Sequence, residues 1–162
     1  MVYYIDGYNL IFSLIDSKES LQILRQKVIR LLQKKFAQLN LSGLLVFDGA
    51  HRRGEESGLS YPSPLIVAYT PKGQSTDEYI LEQVERTARR ALITVVTNDR
   101  GLGMHAKSLG AKVQSNADFI HWIKGKVQKS RKKEVEPIDT KQNIERLLKI
   151  FEDRLKKNLD DF

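Results

Sequence analysis

The chain contains no cysteine, which removes disulfide staples and thiolate metal ligands together. That absence suits a reducing compartment, and a cytoplasmic location is expected. Long apolar runs are missing as well. Nothing approaches the roughly 18 apolar residues of a membrane span, and Asp6 arrives before any stretch that reads as a signal peptide. No membrane partner is therefore expected. The 3 histidines, His51, His105 and His121, show no metal-ligand spacing. Any metal would have to be held by oxygen. There are no internal repeats, and acidic residues are in the minority, 20 against 27 basic ones, for a net charge of +7. Such an excess gives a general attraction to polyanions, with nucleic acid the commonest specific reason.

What is present is enough for a core. The apolar fraction is 41% of 162 residues, which fits one domain with an appendage better than two domains. Residues 2–5 form a short apolar strand that stops at Asp6-Gly7, a good turn dipeptide. Leu21, Leu24, Val28, Leu31, Leu32, Phe36 and Leu39 recur at helical spacing, predicting a helix over about 17–39. A buried strand at 44–47 stops at Asp48-Gly49, and residues 50–63 read as an irregular polar loop. A strand at 65–69 follows, then a helix over about 75–90, a strand at 93–97, and a short helix over about 102–109 that ends at Gly110. A short strand at 111–113 and a helix over about 115–124 complete the body. The expected division places a domain at 1–123 and an appendage at 124–162. The appendage is a basic linker followed by an amphipathic helix striped with Ile144, Leu148, Phe151, Leu155 and Leu159.

Apolar strands alternating with helices predict an α/β fold, a mostly parallel sheet with helices on both faces. Ligands in such sheets bind at the carboxyl edge of the strands, and that is where the acids fall. Asp6, Asp48 and Asp99 each close a strand, while Asp77 and Glu78 open the helix after the third long strand. A lone Asp after a strand is more often a turn residue or helix cap than a ligand. Several on one edge repel one another and call for a counter-charge. A hard cation held by oxygens, Mg²⁺ or Mn²⁺, supplies it, and carboxylate-held metal beside a basic surface suits phosphodiester hydrolysis. Glu78 is equally well read as the closing member of a capping box with Ser75.

Other residues are candidates for substrate contact. Asn9 either holds a phosphate or braces the turn after Asp6, and Thr97 and Asn98 precede Asp99 in the same ambiguous way. Arg52 and Arg53, with Tyr61 nearby, sit in the loop after the second strand and could grip a single strand. Lys132 and Lys133 belong to a cationic run, 124–133, suited to phosphate backbone.

Four stretches then carry a resemblance. Tyr4-Ile5-Asp6-Gly7-Tyr8-Asn9-Leu10, Val46-Phe47-Asp48-Gly49-Ala50-His51, Val67-Ala68-Tyr69-Thr70 through Ser75-Thr76-Asp77-Glu78-Tyr79-Ile80, and Val95-Val96-Thr97-Asn98-Asp99-Arg100 resemble, in this order, the motifs of NYN domains. These are PIN-like nucleases, and the nearest subgroup is the bacterial YacP-like one. The resemblance covers about residues 1–122. It implies a PIN-like three-layer fold and a metal site at Asp6, Asp48, Asp77 and Asp99; an RNA substrate, single-stranded, is expected, with the ribosome as a candidate partner. Thr76 stands where such motifs usually carry alanine, and Arg-Gly-Leu-Gly follows Asp99 where an acidic, glutamine-bearing segment is expected. Neither departure removes a ligand. The competing expectation is a catalytically inactive RNA- or ribosome-binding protein on the same fold. An aspartyl phosphatase is disfavoured because Tyr8 stands where its second acid would be.

Overall fold

The computed structural model describes residues 1–49, 59–60, 64–131, 145–146 and 148–154, with 59–60 and 127–131 described as backbone only. In chain order the elements are β1 (Val2–Asp6), α1 (Gly7–Leu14), α2 (Leu21–Gln38), β2 (Ser42–Phe47), β3 (Leu59–Ser60), β4 (Leu65–Tyr69) and α3 (Thr76–Arg86). A 3-10 turn at Arg90–Leu92 leads to β5 (Ile93–Val96), α4 (Arg100–Ser108), β6 (Lys112–Gln114) and α5 (Asn116–Arg131).

The sheet order is β3-β4-β2-β1-β5-β6. β4, β2, β1, β5 and β6 are mutually parallel, and the two-residue β3 runs antiparallel to β4 at the edge. The chain builds outward from β1 through β2 to β4, then returns to add β5 and β6 on the other side. β1 and β5 therefore flank the point where strand order reverses, and open α/β sheets bind ligands outside the carboxyl ends at such a point.

Alternation along the strands divides the interior into two layers. Tyr3, Ile5, Leu45 and Phe47 face a cluster with Leu10 and Ile11 of α1, Val28, Leu32 and Phe36 of α2, and Phe119 and Ile123 of α5. Leu44, Val46 and Val95 face the other way, against Ile80 and Val84 of α3 and Leu102 and Ala106 of α4. This is the expected three-layer α/β architecture. Leu148 and Phe151 are buried in the first of these clusters, so the C-terminal helical residues complete the core of the body.

Four expectations change. Asp6-Gly7 is not a loop turn: α1 begins at Gly7 directly, and Leu10, Ile11 and Leu14 anchor this short helix in the core. Gly7 is required by close approach, since a Cβ there would lie 2.4 Å from the Phe47 ring. α2 starts at Leu21 because Ser20 caps it, its side chain accepting from the Ile23 amide at 3.3 Å. Within the stretch expected to be irregular, residues 59–60 pair with β4. Finally, α5 continues to Arg131, so the start of the expected basic linker is helical. Lys124 forms an ion pair with Glu152, and the Lys126 ammonium lies 5.8 Å from the Trp122 ring centroid. The Gly110 stop holds: its φ is +98, and its amide donates to the Lys107 carbonyl at 3.0 Å.

Candidate active site

Three turns meet at the carboxyl ends of β1 and β5. Asp6 ends β1 and caps α1, its Oδ1 accepting from the Asn9 amide at 3.3 Å. Asp99 plays the same part for α4, its Oδ1 accepting from the Leu102 amide at 3.0 Å. Each carboxylate thus has one oxygen fixed by backbone, as an N-cap should, which sets the direction of the group.

The turns are tied together by amides. The side-chain oxygen of Asn9 accepts from the Asn98 amide at 2.9 Å, from Asn116 Nδ2 at 2.9 Å and from the Thr97 hydroxyl at 3.4 Å. Asn98 Oδ1 in turn accepts from the Asn116 amide at 2.9 Å, and Thr97 Oγ1 accepts from the Asp99 amide at 3.0 Å. Thr97 is 3% exposed, so its hydroxyl serves this brace and is closed to a substrate. The Asn9 oxygen is committed to the brace as well. Its amide nitrogen donates to no described residue, and the locked oxygen orients it. Asn98 is exposed.

Asn116 was not among the sequence candidates. It is fully buried, opens α5, and donates to Asn9 O at 3.3 Å and to Ser13 Oγ at 2.8 Å besides the Asn9 side chain. Its Oδ1 is buried without a hydrogen-bond partner. The local signal at that position is Ser115, which caps the following turn by accepting from the Asp118 amide at 3.1 Å.

Across the edge, Asp77 and Glu78 lie in the first turn of α3. Glu78 makes the capping box: its amide donates to Ser75 Oγ at 3.1 Å, and its carboxylate accepts from the Ser75 amide at 3.3 Å. Asp77 is half-buried. Burial pushes its carboxyl up, with repulsion from Asp99 and then Glu78 adding to the effect. Asp6 is 8% exposed, and its carboxyl is pushed up to about 6. Burial is the largest cause. The Asn9 amide works against it, and repulsion from Asp77, Asp99 and Asp48 works with it. Every charge from a described residue that acts on Asp6 and Asp77 is an acid. The four aspartates are therefore electrostatic neighbours, and among the described residues no cation offsets Asp6 or Asp77.

Among the described residues, no group of three or more acids or histidines forms a ready-made metal cage. Mg²⁺ commonly keeps several waters and takes one or two carboxylates plus substrate phosphate, and an all-oxygen donor set fits that mode. Arg52, Arg53, Lys132 and Lys133, together with His51 and Tyr61, lie outside the described residues. An open depression is lined by residues 85–92 and Gly110. It lies where the chain enters β5, at the opposite edge from the acids, and holds none of them. Among the described residues, no helix is long and apolar enough to cross a membrane.

Two solved structures share this architecture. The crystal structure of Rae1 (YacP) from Bacillus subtilis is 19% identical, with a TM-score of 0.64 over 99% of this chain and 97% of that one. A point mutant of the same protein gives 0.63 at 19% identity, covering 99% of each chain. At that identity the likeness speaks to fold. No curated protein matches the chain. The YacP-like NYN domain matches residues 3–162, nearly the whole sequence, and the chain belongs to that family, a family of PIN-like nucleases.

Proposed function

We propose that this protein is a divalent-metal-dependent endoribonuclease, with Asp6, Asp48, Asp77 and Asp99 holding Mg²⁺ or Mn²⁺ at the β1/β5 edge. The observation that carries the reading is the charge imbalance at Asp6. A buried carboxyl whose described charged neighbours are all acids sits at the strand-order reversal of an open α/β sheet. When bound, the cation lowers the pKa of a water and offsets charge building on the phosphate.

The chain's own residues then have separable parts. Asp6 and Asp99 each present one oxygen while the other is held by a helix N-terminus. Asp77, not bound up in a cap, supplies the α3 side. Glu78 serves α3 as its capping partner and adds negative potential near Asp77. The oriented amide nitrogen of Asn9 and the exposed Asn98 are placed to donate to phosphate oxygens. Arg52, Arg53, Lys132 and Lys133 supply backbone affinity to single-stranded RNA.

The test is incubation with labelled single-stranded RNA and DNA in Mg²⁺, Mn²⁺ or EDTA, beside an Asp6→Asn protein. Cleavage of RNA that needs metal and is lost in Asp6→Asn is the expected result. Wild-type cleavage in EDTA, or full activity of Asp6→Asn, would remove the proposal. RNA binding without cleavage under any metal would favour an inactive RNA-binding protein on the same fold.

A further inference from the structure

We infer that the ring of Phe12 is a stacking platform for a base of the RNA strand entering the acid edge, an inference that rests on the ribonuclease reading. Phe12 is the one exposed residue of α1, at 63% exposure, while Tyr8, Leu10, Ile11 and Leu14 on the same helix are buried.

The ring is held, not loose. It stacks on Tyr8, one helical turn earlier, with centroids 5.9 Å apart and planes 16° apart. Tyr8 is fixed in turn, edge-on to Phe47 at 4.9 Å, with its hydroxyl accepting from Arg25 Nη1 at 3.1 Å. Phe47 stacks on Tyr69 at 5.8 Å and 28°, and the Arg25 guanidinium lies over Tyr69 at 5.5 Å. The ladder Tyr69–Phe47–Tyr8–Phe12 starts at the carboxyl ends of β4 and β2 and ends in solvent. Its members adjoin the acids in sequence: Phe47 precedes Asp48, and Tyr8 follows Asp6 by two residues.

One face of Phe12 is therefore occupied by Tyr8, and among the described residues nothing covers the other. A preorganised aromatic face beside a phosphate-cutting edge is what sequence-tolerant single-strand binders use, because every base has a π-face. A single ring bordered on the helix by Asn9 and Ser13 also suits a base better than a protein, whose interfaces bury about 1,000 Å² or more. Phe12 lies six residues from Asp6, about 9 Å along the helix axis. The stacked base therefore belongs to a nucleotide near the cut phosphate and not to the one cut, and Phe12 would set the register of the strand.

The test uses the full chain and a single-stranded oligoribonucleotide of about ten nucleotides, within the usual single-strand site sizes. One 2-aminopurine is walked along it, and Ca²⁺ replaces the catalytic metal. Phe12→Ala should weaken binding by about fivefold to a hundredfold, the range of one lost base stack. It should also abolish a fluorescence quench seen at one position with wild type, at unchanged Tm. Phe12→Trp should restore both. Equal affinity and equal quench in Phe12→Ala would overturn the inference while leaving metal-dependent RNA cleavage intact. A change in self-association alone, with RNA affinity unchanged, would assign the ring to a protein contact and overturn it too. If wild type neither binds nor cuts RNA, the ribonuclease reading fails and this inference falls with it.

Discussion

The two halves of the acid edge are built on different terms. On the β1/β5 side, Asp6 and Asp99 each cap a helix, and their turns are cross-braced by Asn9, Asn98 and Asn116. On the α3 side the cap is delegated to Ser75 and Glu78, and Asp77 is left out of it. One half is rigid before anything binds, while the other presents a carboxylate with freedom to adjust. A hard cation that demands near-octahedral geometry but keeps several waters is served by that combination. In the proposed site the braced pair would set position, and Asp77 would be the one to adjust.

The largest effect should come from the rigid half. Asp6→Asn and Asp99→Asn should each cut metal-dependent RNA hydrolysis by about a hundredfold or more, beyond the 10–100-fold typical of outer partners of a metal ligand. Asparagine still caps a helix, so circular dichroism should be unchanged. Single-turnover cleavage rates check this. Equal losses from every acid on the edge would erase the distinction between the halves.

Asp77→Asn should come next, at about tenfold or more, with Glu78→Gln losing only a few-fold because glutamine also closes a capping box. Thermal unfolding and cleavage measured on both variants separate the roles. A larger catalytic loss in Glu78→Gln than in Asp77→Asn would exchange them.

Asn116→Ala tests the brace from outside the edge. Loss of its donors should reduce cleavage by about tenfold, in the range of outer-partner effects. It should also destabilise the fold by about 1–3 kcal/mol, since it leaves the Asn9 acceptor short of a partner. In a double-mutant cycle with Asn9→Ala the two losses should be strongly non-additive. Additive losses would mean the amides act separately.

The smallest effect belongs to the basic segment. Lys132→Ala with Lys133→Ala should weaken RNA binding without touching metal binding, and should flatten the salt dependence by roughly one unit of slope per lost phosphate contact. Truncation after Gly125 is a poorer test of this segment. It would also remove Leu148 and Phe151 from the core, and the Lys124–Glu152 ion pair with them.

The positions of the five parallel strands, though not of β3, and the edge on which the acids gather were legible, because alternation and strand-end aspartates are local signals. The Ser75–Glu78 box was legible for the same reason. α1 was not, since Asp6-Gly7 reads as a turn in isolation. What removes the side chain at residue 7 is the Phe47 ring, 40 positions away in sequence. Asn116 was hidden by a similar distance: its partner Asn9 is 107 residues earlier, and nothing near it advertises the pairing. The basic stretch after Lys124 looked like a linker by charge, yet Trp122 and Glu152 give Lys126 and Lys124 reasons to be ordered on a helix.

The most direct test of the edge as a cation site is unfolding of the metal-free protein against pH, followed by Mn²⁺ addition. The Asp6 carboxyl titrates near 6 in the fold against a reference of 3.8, so ionising it costs the folded state up to about 3 kcal/mol. Because the folded value is the raised one, that penalty is absent below 3.8, grows as pH rises toward 6, and is complete above it. Above pH 6 the metal-free Asp6→Asn protein should therefore be the more stable of the two, by about 1–3 kcal/mol and several degrees in Tm. Mn²⁺ should raise the Tm of wild type and reverse that order. Wild type as stable as Asp6→Asn without metal, with Mn²⁺ shifting neither, would contradict the cation site.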